Sequence, residues 1–96
     1  MKTTKSSSNV FLDLGFSPAE ARNLRMRSQM ITALRKFIEK ERLTQADAAK
    51  RLKVTQPRIS DLMRGRLDLF SLDALIDMAA HLDLRTSVTV RRRRAA

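Results

Sequence analysis

The chain has 96 residues, enough for one compact domain with short tails, and 43% of them are hydrophobic, an ordinary share for a globular protein. Twenty Lys and Arg face ten Asp and Glu, for a net charge of +10, and fourteen of the cations are Arg, whose fork fits phosphates and guanine edges; the balance points to nucleic acid. The absence of Cys excludes disulfides, thiol catalysis and Cys-based zinc sites. No apolar run approaches the ~20 residues of a membrane span, and no signal-like hydrophobic stretch follows the start, so a cytoplasmic protein is expected.

In chain order, residues 1–9 are polar, rich in Lys, Ser and Thr, and without periodicity. They are expected to form a disordered arm. Residues 10–16 make a short apolar patch, read as a brief strand or a docked turn. Ser17, Pro18 and Glu20 then form a capping box with proline at the first helical position. Leu24, Ile31, Leu34 and Ile38 follow at helical spacing, widened by Met30 and Phe37, and predict a helix from Pro18 to about Glu41, unbroken or broken near Ser28. Arg25, Arg27, Arg35, Lys36 and Lys40 are placed mostly beside or opposite that stripe.

Thr44 is the next N-cap, opening a helix from Gln45 to about Leu52. Thr55 opens another from Gln56 to about Arg64, and Gly65 suits its C-terminal stop. Ser71 caps a helix over 72–82 whose apolar face is Leu72, Leu75, Ile76, Ala79 and Leu82. Thr86, Ser87, Val88, Thr89 and Val90 are dense in β-branched residues and predict one short strand, followed by a basic tail over 91–96. A lone strand needs hydrogen-bond partners, so pairing with the same strand of a second chain is expected, giving a homodimer. The arginine run 91–94 is read as a solvated tail with a chance of touching phosphate.

The two short helices over 45–64 are predicted to form a helix-turn-helix. Ala49 is small, so the second helix can cross the first closely. Ala48, Leu52, Val54, Ile59 and Leu62 complete an inward apolar set ringed by polar and cationic residues. An ordinary helical hairpin in a basic bundle is the plainer alternative. On the second helix, Ile59, Leu62 and Met63 face inward while Pro57, Ser60, Asp61 and Arg64 face away. A recognition helix enters the major groove with its N-terminus leading. The candidate base readers are therefore Thr55, Gln56, Pro57, Arg58 and Asp61, led by Gln56, whose amide can pair with adenine. Arg58 could take a guanine or a phosphate. Asp61 either pairs with Arg58 or Arg64, or accepts from a cytosine amino group. The candidate phosphate contacts are Thr44, Gln45, Lys53, Ser60, Arg64 and Arg66, the first two at a helix N-terminus.

The string LTQADAAKRLKVTQPRISDLMRG over 43–65 resembles the lambda-repressor-like superfamily of Cro and Xre repressors. More narrowly, with VFLDLGF at 10–16, SLD at 71–73 and a C-terminal strand, the chain is similar to HigA-like antitoxins. The fold class expected is all-α, a lambda-repressor-like helix-turn-helix bundle over residues 10–90 with a short C-terminal β-strand. The resemblance implies a dimeric repressor that binds a palindromic operator in double-stranded DNA at its own promoter and neutralises a ribonuclease toxin. Two positions depart from the pattern: Lys53 and Asp83 stand where the family usually has a glycine with positive φ.

A stand-alone or phage-derived Xre regulator, and a module chiefly inhibiting a partner ribonuclease, are the alternatives. No catalytic, metal or cofactor site is expected. There is one His, His81, placed away from the core face, and no phosphate-cradling Gly loop. The five Met are read as packing residues. RNA binding fits less well, because aromatic stacking residues are scarce.

Overall fold

A computed structural model describes residues 7–92. Within them the chain forms five α-helices and one 3-10 turn: α1 (Ser7–Asp13), α2 (Pro18–Lys40), α3 (Gln45–Leu52), α4 (Gln56–Met63), the turn Leu67–Leu69, and α5 (Leu72–Ala80). None of the helices is long and apolar enough to cross a membrane.

The starts of α2, α3 and α5 follow from side-chain capping. Ser17 Oγ accepts from the Glu20 N–H at 3.2 Å, and the Glu20 carboxylate accepts from the Ser17 N–H at 3.0 Å. These bonds, the backbone one foremost, hold the Glu20 carboxyl below its ordinary pKa. Their contribution is complete above the ordinary carboxylate range and fades as pH falls through the lowered value. Thr44 and Ser71 accept from Asp47 and Ala74 N–H in the same way. Thr55 stands at the N-cap of α4 but makes no side-chain cap bond. The long α2 runs through Ser28 without a break.

The five helix ends share one geometry. One to three residues after each helix the chain enters the left-handed region, at Gly15, Arg42, Lys53, Gly65 and Asp83. The N–H of the following residue reaches back to a carbonyl five positions earlier: Phe16 to Phe11, Leu43 to Ile38, Val54 to Ala49, Arg66 to Asp61 and Leu84 to Ala79, at 3.0–3.2 Å. These are Schellman endings, which satisfy carbonyls the helix leaves open. The positive φ expected at Lys53 and Asp83 is present, at 59° in both, and Arg42 adds a third non-glycine case at 54°. A Cβ in this region is strained. Lys53→Gly is therefore expected to raise stability by about 1 kcal/mol. Urea unfolding checks it; an unchanged or lower midpoint would show that the turn carries no such strain.

One core joins α2 to α5. Ile31, Leu34 and Ile38 from α2 meet Ala48, Ala49 and Leu52 from α3, Ile59 and Leu62 from α4, and Leu75, Met78 and Ala79 from α5, with Phe70 and Leu82 closing it. Val54 and Met63, expected inward, are half-buried at its edge. Phe70 is 1% exposed, the one fully buried aromatic in a chain with four Phe.

Three expectations are corrected. Residues 10–16 are not a strand, and they are more than a docked turn: α1 packs along α2, and Phe11 meets Phe16 edge-on with centroids 6.3 Å apart. A continuous apolar run has no period to separate strand from helix, and Gly15 is the helix stop. That helix also begins at Ser7, inside the stretch read as a disordered arm, whose residues 1–6 lie outside the described part. Finally, no strand forms among the described residues. Thr86, Ser87, Val88, Thr89 and Val90 are exposed and unpaired, with Val90 at 89%. An extended segment needs a second strand to hold its backbone groups, and residues 10–13, the weak apolar candidate for that role, lie in α1.

Candidate nucleic-acid interface

The α3–α4 pair is built as a helix-turn-helix needs. Ala48 is 0% and Ala49 7% exposed, so α4 lies close across α3, with Ile59 and Leu62 fully buried on the crossing side. The left-handed Lys53 turns the chain between the helices and leaves its ammonium stem exposed.

The open end of α4 is its N-terminus. Thr55, Gln56 and Pro57 are exposed there. Because the Thr55 hydroxyl is not spent on capping, the N-terminal turn of α4 presents free N–H groups and a free hydroxyl together. Gln56 is the first residue of the helix, with its amide in solvent. Thr44 and Gln45 are exposed at the start of α3; Thr44 Oγ1 is engaged by Asp47 at 3.0 Å, which leaves its O–H to donate outward.

The rest of the outward edge is more enclosed than a bare helical wheel implies. Ser60 and Asp61 are half-buried, whereas Arg64 is exposed. Asp61 pairs with Arg64 at 3.5 Å, one of the two partners considered for it. Arg64 keeps 64% side-chain exposure and so remains able to reach a phosphate. Arg66 is exposed and lies 3.8 Å from the Asp68 carboxylate. The exposed pairs are worth a fraction of a kcal/mol and yield readily to a phosphate.

Arg58 departs from its expected place. Its guanidinium folds back onto the protein, stacked 4.1 Å from the Phe70 ring centroid, and donates to the Leu69 carbonyl at 2.7 Å. It is half-buried, with its guanidinium engaged within the chain instead of held out from the flank of α4. Arg27 is engaged in the same region. It lies on the apolar stripe of α2, four residues before Ile31, and donates to the Leu67 and Phe70 carbonyls at 3.0 and 3.1 Å and to Asn23 at 2.8 Å. A sequence signal for Arg27 existed: a cation at a core-face position must find internal acceptors. For Phe70 there was none, since its burial depends on where the loop after α4 lands. His81 lies in solvent, 3.5 Å from Asp77.

The whole unit matches known proteins. The profile of a helix-turn-helix domain family covers residues 10–91. A solved structure described as an XRE-family transcriptional regulator is similar at 32% identity with a TM-score of 0.73, over 80% of this chain and 90% of the other. No curated protein matches in sequence. The matched span begins within α1 and takes in α2 through α5 together with the extended segment after them, and the α3–α4 pair with its open N-terminal tip sits at its centre. The chain belongs to the helix-turn-helix domain family and to the Xre family of DNA-binding transcriptional regulators.

Proposed function

We propose that this protein is a sequence-specific repressor that binds a palindromic operator as a homodimer, and that it serves as the antitoxin of a toxin–antitoxin pair, repressing its own promoter in the cytoplasm. It is not an enzyme in this reading. The observation that carries the DNA half is the uncapped, exposed N-terminal turn of α4 bearing Thr55, Gln56 and Pro57 on a chain of net charge +10. Gln56 reads a base edge; Thr44, Gln45, Lys53, Arg64 and Arg66 hold phosphates.

The dimer half is supported by the exposed segment 86–90. Val88 and Val90 stand at 61% and 89% exposure, and their backbone groups have no partners among the described residues. Pairing with the same segment of a second copy completes a two-stranded ribbon and places two recognition helices about a two-fold axis. The antitoxin role is supported by the leader and Ser71-Leu72-Asp73 resemblance alone.

The test is selection of preferred sites from a randomised duplex library, followed by sedimentation with and without the selected site. A palindromic consensus bound by two chains is expected. Binding should weaken with salt at a slope of about −0.9 per phosphate neutralised. A shallower slope after deleting the arginine run 91–94 would place that tail on DNA; an unchanged slope would leave it in solvent. Failure to enrich any sequence would end the repressor reading. Purification with the product of the adjacent gene, and suppression of ribonuclease activity in that complex, tests the antitoxin role separately.

A further inference from the structure

The 3-10 turn Leu67–Leu69 and Phe70 after it leave carbonyls with few donors of their own. Leu67 O accepts from Phe70 N–H at a long 3.4 Å, and the next helical bond begins only at Ser71 O. Two arginines from different helices supply what is missing. Arg27 of α2 reaches Leu67 O and Phe70 O, and Arg58 of α4 reaches Leu69 O while its plane lies on the Phe70 ring. The recognition helix is thereby tied through one turn to the long α2. Charge-assisted bonds of this kind are stronger than neutral ones, and a guanidinium stacked on an aromatic face adds to them.

The tie falls where α4 needs it. Arg58 is the third residue of an eight-residue helix whose N-cap makes no side-chain bond, so the leading turn is otherwise free to fray. That same turn carries Gln56 and Pro57. We propose that Arg58 is a positioning residue for DNA recognition: with Arg27 it clamps the turn after α4, fixes the angle and order of the leading turn of the recognition helix, and touches no base itself. This inference rests on the DNA-binding reading of the same site.

The clamp reading, the base-reader reading and the phosphate reading differ in what Arg58→Lys does. Lysine keeps the charge but loses the planar fork and its stacking. If Arg58 positions the helix, Arg58→Lys lowers affinity for the selected operator by about tenfold, the scale of one charge-assisted bond. The loss is then spread over every base pair of the half-site, with affinity for random duplex and the salt slope unchanged. Arg27→Lys, on α2, gives the same profile. Circular dichroism at the assay temperature shows that both variants are folded, and Arg27→Gln with Arg58→Gln provides a second pair should either lysine variant unfold. A loss confined to one base pair would make Arg58 a base reader. A shallower slope for Arg58→Gln, beyond that of Arg27→Gln, would make it a phosphate contact. Wild-type operator affinity in both lysine variants would show that the clamp does not act on recognition. Each of the three results overturns the proposal while leaving wild-type DNA binding intact, so it is distinct from failure of the wild-type chain to bind DNA.

Discussion

Phe70→Ala is expected to cost about 3–5 kcal/mol of folding stability, the range for truncating a buried aromatic. Phe70 is 1% exposed, packs in the core formed by α2, α3, α4 and α5, and carries the Arg58 guanidinium 4.1 Å from its ring centroid. Domains of this size hold a total of about 5–15 kcal/mol, so the loss takes much of the margin. Two effects act together: the cavity left in the core, and the loss of the surface that orients Arg58. Phe70→Leu separates them. It refills most of the volume at a cost of about 1.5 kcal/mol or less, yet has no π face for the guanidinium. Urea unfolding followed by circular dichroism measures both variants. A Phe70→Ala midpoint near wild type would mean that the α4–α5 connection relaxes to fill the space and that Phe70 is not a core anchor.

Gln56→Ala is expected to remove a base contact, weakening operator binding by about 1–3 kcal/mol with little change on random duplex. The reason lies in its position. It is the first residue of α4, exposed, uncharged, and beside the uncapped Thr55. Losing an uncharged side chain cannot alter counterion release, so the salt slope stays as it was. Arg64→Ala is the contrast. Arg64 lies at the far end of α4, 64% exposed and only loosely paired with Asp61, so its removal weakens operator and random DNA alike and makes the slope shallower. Binding of both variants to the two duplexes across a salt series checks the pair. Discrimination that survives Gln56→Ala would mean that another face of α4 reads the bases.

Local rules accounted for much of this fold because they act over short spans. Ser17, Thr44 and Ser71 start helices by bonds three residues long, and these bonds are present. Gly65 stops α4, and the unusual backbone at Lys53 and Asp83 could be anticipated from the positions where the family pattern places glycine. The apolar period of α2 and the small residues Ala48 and Ala49 were enough to place the helix-turn-helix and its buried side.

What local rules could not decide was every matter that needs a partner distant in sequence. The apolar run 10–16 had no period, and its packing on α2 made it a helix. The segment 86–90 has the composition of a strand, but composition supplies no partner, and among the described residues it stays unpaired. Arg58 sits on α4 where a base reader could stand; its bond to Leu69 and its stack on Phe70, 11 and 12 residues on, exist only because the turn after α4 folds back beside it. Arg27 finds its carbonyls 40 and 43 residues away for the same reason. The sequence by itself therefore determined helices α2 to α5 and the family of the α3–α4 unit, through caps and periodicity that neighbouring residues satisfy among themselves. Only the tertiary structure decided which arginines are engaged within the chain, because a half-buried guanidinium takes the nearest unpaired carbonyls, and their location depends on how the chain returns.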